Sequence, residues 1–232
     1  MIFAQNDGHC LNGADSGAEG CGKREQDLTR LVGNLVTSKL KAKGHTVYNC
    51  TVDKASTTRE ALNSIIAKEK AVNADLFFSI HLNASNGEGH GTEVFTYGGK
   101  QLAQATRVLR NIVALGYSNR GIKDGSSLAV VRGTKAPSML IECCFIDNVA
   151  DMKMFNADKM ANAIVGGLIG VNVVTTINTV AKDNKILLLQ QVANRCGIRG
   201  ANGLKLVEDG LKGANTEAAR IKLIAYIKDV TK

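Results

Sequence analysis

Four side chains in this sequence are polar where their neighbours predict burial: His9, Glu25, His81 and Glu142. His9 follows the opening stretch "MIFAQNDG", and His81 follows the run "ADLFFSI", residues 74–80. Glu25 lies three residues before Leu28 and seven before Val32, on the inward side of a helix-spaced pattern. Its place in the first turn, beside the helix's positive end, favours the ionised carboxylate. Glu142 is embedded in "MLIECCFI", where an unpaired charge is expensive. Each has an ordinary structural explanation: a core histidine, a helix-capping carboxylate, a glutamate paired with an arginine. Together, two imidazoles and a carboxylate form a donor set for a hydrolytic zinc ion with an open fourth position, leaving a spare carboxylate to carry protons. No local HExxH motif fixes such a site, so the residues alone leave both accounts open.

These side chains need elements to position them. Residues 1–6, 45–50, 75–81, 92–97, 128–132 ("LAVVR") and 138–146 read as strands, with His81 at the end of its strand. Residues 25–43, 57–72, 100–115 and 157–169 read as helices, the second opened by threonine caps. The run at 76–80 is apolar on both parities, as in a strand covered on both faces. The alternation predicts an α/β fold: a mixed twisted sheet with helices on both faces, spanning residues 1–170. In such sheets ligands gather at the carboxyl ends of strands, which is where the histidines fall. Residues 171–184 lose the helical period and read as a linker, and 185–232 as a small all-α domain.

The chain has 232 residues, of which 44% are apolar, enough for one ordinary core and a small second one. No stretch approaches the ~20 apolar residues of a membrane helix, so membrane insertion is not expected. The N-terminus lacks a basic start and long apolar core, which predicts cytoplasmic synthesis without a signal peptide. Six cysteines without a CxxC pair read as free thiols. The net charge of +8 implies an anionic partner, and ten Lys/Arg against five Asp/Glu from residue 171 onward concentrate it in the last quarter. Neither aromatic–basic interleaving nor a recognised motif supports nucleic-acid binding, which ranks last among the readings.

Residues 1–170 resemble the zinc-dependent N-acetylmuramoyl-L-alanine amidases of the type-3 family, found in bacterial autolysins and phage endolysins. The resemblance rests on "NDGHC", "GCGKREQDL", "ADLFFSIHLNAS", "GHGTEVF" and the closing block "NRGIKDGSSLAVVRGTKAPSMLIECCFIDN", all in order. It implies that His9, Glu25 and His81 hold Zn2+ and that Glu142 is the catalytic carboxylate. The expected substrate is bacterial peptidoglycan, cut between N-acetylmuramic acid and L-alanine. Cys10 departs from the usual glycine and is expected to pack rather than touch the metal. Glu19 is the nearest rival to Glu25 but has no helical face to turn it inward, and Glu93 and His90 are given no role.

Residues 185–232 resemble a three-helix peptidoglycan-binding module through Leu189-Gln190, Gly197 and a DGxxGxxTxxA pattern from Asp209 to Ala219, departing at Tyr226-Ile227. The basic excess suits anionic wall polymers; a helical cap on the first domain is the structural alternative. Without an export signal, an enzyme that acts outside on the wall fits a phage endolysin, or a mother-cell lysis autolysin of sporulation. A zinc peptidase cutting peptide cross-links would use similar chemistry.

Overall fold

The computed structural model describes residues 1–170, 184–203, 205, 206 and 214–230. It divides into two compact units, Met1–Val174 and Thr175–Lys232.

The first unit is built on six strands: β1 (Ile2–Asp7), β2 (Thr46–Asn49), β3 (Leu76–Asn83), β4 (Thr92–Thr96), β5 (Asn119–Asp124) and β6 (Ser138–Phe145). They lie in the order β2-β1-β3-β6-β4-β5. The first four in that order are parallel; β4 runs antiparallel to β6 and pairs in parallel with β5. The expected mixed sheet with helices on both faces is therefore present.

Alternation along each strand sorts the residues between two layers. Phe3, Phe78, Ile80, Leu82, Met139, Ile141 and Val94 share one core with three helices: α1 (Glu25–Ala42), α3 (Ala103–Val113) and α6 (Ala157–Ile169). In α1, Leu28, Val32, Val36 and Leu40 recur every fourth residue, so one stripe faces the sheet. The opposite parity, Ala4, Phe77, Leu140 and the half-buried Phe95, packs with α2 (Thr58–Lys70) and α4 (Ala129–Gly133). Thr57 caps α2, its side chain accepting from the Glu60 N–H at 3.1 Å. Further along this second face, at the carboxyl ends of β3 and β6, His81 and Glu142 are only half-buried. A short α5 (Val149–Met154) follows β6.

Three expectations need correction. "LAVVR" is the helix α4 rather than a strand: four apolar residues and an arginine fit either period, and Val130 and Val131 bury against Leu140 from above the sheet. The sixth strand is instead β5, "NRGIKD", an edge strand too polar and too exposed to announce itself. And β3 does not stop at His81 but runs two residues further, to Asn83.

In the second unit, α7 (Asn184–Arg195) and α8 (Ala214–Val230) enclose a small core of Ala193, Leu206, Ala219 and Leu223. Gln190 and Thr216, both from the resemblance pattern, are buried and bonded to one another at 3.1 Å. Asn194 clamps the backbone of Leu206, donating to its carbonyl and accepting from its N–H, each at 2.9 Å. Residues 171–183 of the expected linker, and Asp209, Gly210 and Gly213 of the pattern, lie outside the described residues.

Candidate metal centre and active site

The site forms where β1 gives out. After the last register pair, Asp7 with Ile80, the chain turns at Gly8 and His9, and His9 takes a left-handed φ of 65°. That conformation is unfavourable for a residue with a Cβ and needs outside support. Arg30 supplies it from α1. Its Nη1 donates to the carbonyls of Asp7 and Gly8, each at 2.7 Å, and its Nη2 to that of His9. Three successive carbonyls are thus bound by one planar donor set, a geometry lysine cannot reproduce. Thr29 Oγ1 adds a second bond to the Gly8 carbonyl, at 3.0 Å.

Glu25 opens α1 and is 3% exposed. Oε1 accepts from the Leu82 N–H at 3.0 Å, on the flank of β3 that β1 no longer covers. Oε2 accepts from the Ala18 N–H at 2.9 Å. The same oxygens meet the two histidines: Oε1 is 3.0 Å from His81 Nδ1, and Oε2 is 3.3 Å from His9 Nε2. The imidazoles meet edge to face, ring centroids 4.9 Å apart. Burial opposes the charge on Glu25, but His81 and His9 outweigh it and hold the carboxyl well below the usual range. Burial likewise opposes the imidazolium of His9, yet Asp15 and Glu25 push its pKa up to about 10. Asp15 Oδ1 stands 3.5 Å from His9 Nδ1.

One donor atom from each of His9, Glu25 and His81 lies within 4.8 Å of the others; among the described residues, this is the group able to hold a metal ion. Ligands about 2.0–2.2 Å from a tetrahedral ion sit roughly 3.3 Å from one another, so a set of donors within 4.8 Å of one another needs only a small contraction to close on one ion.

Glu142 stands beside the group. Its Cα pairs with that of His81 across β3 and β6, and the register shifts immediately afterwards, a bulge at Cys143–Cys144. Bulges beside functional sites re-aim the chain. Glu142 Oε2 is enclosed without a hydrogen-bond partner. Burial, then the neighbouring Glu25 and Glu93, push its pKa up to about 8.

The other sequence candidates fall elsewhere. Cys10 is 1% exposed, packs with Ala55 and Ala61, and is outside the donor group. Glu19 is exposed in a two-residue ladder with Lys23–Arg24. His90 is exposed, its Nδ1 3.1 Å from the carbonyl oxygen of Glu88. Glu93 is buried and next to Glu142 in register, a position its sequence context did not reveal. Arg30 and Asp15 were not legible as contributors, because only the folded turn brings them to His9.

Residues 6–170 match the family profile described as N-acetylmuramoyl-L-alanine amidase. The chain belongs to that family. The match runs from the end of β1 through α6, most of the sheet unit, and leaves the C-terminal helices outside. The endolysin of Bacillus phage SPP1 is 32% identical over 163 residues, 67% of this chain and 59% of that one. The amidase LytC of Bacillus subtilis (strain 168) is 31% identical over 165 residues, again 67% of this chain but 32% of that one. Both curated relatives therefore extend well beyond the match. The catalytic domain of the CD27L endolysin, which targets Clostridia difficile, superposes with a TM-score of 0.68 at 27% identity, over 74% of this chain and 98% of that domain. Among the described residues, no helix is long and apolar enough to cross a membrane.

Proposed function

We propose that this amidase hydrolyses the bond between N-acetylmuramic acid and L-alanine of bacterial peptidoglycan, with Zn2+ held by His9, Glu25 and His81 and with Glu142 as its proton carrier. The observation that carries the reading is the convergence of the three donors beside the enclosed, unpartnered Glu142 oxygen. Two imidazoles, a carboxylate and an open position are the donor set of hydrolytic zinc. Zn2+ bound there supplies Lewis-acid polarisation and activates water near neutral pH. Glu142 takes the proton of the attacking water and passes it to the departing L-alanine nitrogen. In the metal-free protein, burial, Glu25 and Glu93 favour the protonated form of Glu142, which suits holding a proton in transit; a bound cation nearby would lower that pKa toward the ionised form that accepts one. Asp15 orients His9, and Arg30 holds the turn that presents it.

The test is Glu142→Gln assayed on purified walls for newly exposed L-alanine amino groups. The variant should keep its metal and lose at least ~10²-fold in rate; near-wild-type release would end this role for Glu142. Chelation should stop the wild-type reaction and added zinc restore it.

Residues 185–232 fit the same reading as a wall-binding module, their basic excess drawing the enzyme to anionic wall polymers. Host lysis by a phage endolysin is the setting proposed; a mother-cell lysis autolysin of sporulation shares this domain order and is the alternative.

A further inference from the structure

The row that carries Glu142 continues onto two cations. His81, Glu142 and Glu93 are Cα partners across β3, β6 and β4, so their side chains line one face of the sheet. Neighbouring strands are roughly 5 Å apart, and the row from His81 to Glu93 therefore spans roughly 10 Å. Glu93 is 4% exposed and fully engaged. Its Oε1 accepts from Asn83 Nδ2 at 2.7 Å, and its Oε2 meets Arg120 Nε at 2.9 Å and Lys123 Nζ at 2.8 Å. A carboxylate so occupied cannot serve as base or ligand. It acts as a post to which two cationic side chains are tied.

One carboxylate against two cations leaves a positive charge in excess. That charge is accessible, the Arg120 and Lys123 side chains being 35% and 41% exposed. Arg120 also lies over the Phe145 ring, its guanidinium carbon 4.8 Å from the ring centre. Its Nη1 has only a long contact, 3.5 Å, to the His90 carbonyl, which leaves guanidinium donors for another acceptor.

We propose that Arg120 and Lys123, braced by Glu93, form a subsite for a carboxylate on the peptide stem of the substrate, one or two residues beyond the scissile amide. The inference rests on the amidase reading. In a muramoyl-peptide the lactyl carboxyl is consumed by the scissile amide, so the carboxylates within reach belong to the peptide side. An extended peptide advances about 3.3–3.6 Å per residue, so a second stem residue falls short of Glu93 but within reach of side chains extending back from it. The matching group is the α-carboxyl of a γ-linked glutamate, which exists free or capped as an amide. Two cationic donors distinguish these forms. The carboxylate offers two charged acceptors, whereas the amide offers one neutral acceptor and turns an NH2 donor toward them.

The experiment uses the full chain and two matched muramoyl-peptides, one with the stem glutamate α-carboxyl free and one with it amidated. The wild-type protein should favour the free acid by about tenfold in kcat/KM, expressed in KM, and the margin should shrink as salt rises. Arg120→Gln and Lys123→Gln each leave Glu93 with one cation, so the buried carboxylate stays paired. Each should cut the preference several-fold, and the double variant should bring it close to one. Equal wild-type rates on the two peptides would overturn the subsite. So would variants that slow both peptides by the same factor, the mark of a purely structural brace. Cleavage of neither peptide by the wild-type protein would overturn the amidase reading itself, and the subsite with it.

Discussion

Replacing Gly8 with alanine tests the metal centre through a single methyl group. Gly8 lacks a positive φ, so its backbone accepts alanine without strain. The obstacle is the His81 ring. A Cβ on Gly8 would lie 2.4, 2.5 and 2.6 Å from Cε1, Nδ1 and Nε2 of that ring. Ordinary contact begins near 3.5 Å, so the imidazole must retreat by about 1 Å. Metal–ligand distances tolerate only about ±0.2 Å, so the displaced ring would lose its place in the proposed coordination set. We expect metal affinity to fall at least ~100-fold, with an overpacking penalty of about 1–3 kcal/mol on stability. The assay is metal content per chain after dialysis, with chelator competition for affinity and thermal unfolding as the fold control. In a His81→Ala background the clash disappears, and the stability cost of alanine at position 8 should vanish with it. A Gly8→Ala protein that retains one tightly held zinc per chain would refute the assignment of His81 as a ligand.

Other outcomes follow from the same centre. Asp15→Asn removes the charge that faces His9 Nδ1, and metal affinity should drop about 10- to 100-fold while the unfolding temperature barely moves; an unchanged chelator titration would exclude Asp15 from orienting His9. In the metal-free protein the pKa of His9 is raised from 6.5 to about 10, and a metal ligand must be neutral, so binding displaces a proton across the neutral range. Apparent affinity should therefore rise about tenfold per unit between roughly pH 7 and 9, and a flat profile by competition titration would contradict it. The stability that charged His9 gives the metal-free fold is full below 6.5 and is lost as pH climbs through about 10, which pH-dependent calorimetry can follow. Arg30→Lys leaves at least one carbonyl of the 7–9 turn unbonded, at a cost of about 2 kcal/mol, or roughly 4–8 °C in Tm; a smaller drop than 1 °C would show that the turn holds itself.

Much of this architecture was legible in the chain. The buried run 76–80 and the four-residue repeat of α1 placed His81 and Glu25 at the ends of elements, and the structure brings both to His9. Glu142 was visible as a charge in an apolar strand, and it does stand beside His81. Where reading failed, the cause was physical. "LAVVR" is too short for its period to separate helix from strand, and only packing against Leu140 decides it. β5 is a polar edge whose pattern carries little burial. Arg30, Asp15 and the Glu93 brace act across 6 to 30 residues of sequence, through contacts that exist only once β1, α1, β4 and β5 are in place.

The carboxylate of Glu25 is joined to a backbone amide of the central strand by the same oxygen that faces His81. One oxygen thus serves both the masonry of the sheet and the proposed chemistry. Exchanging the side chain would also unlatch Leu82 from its flank, so any substitution at Glu25 disturbs the strand as well as the proposed coordination.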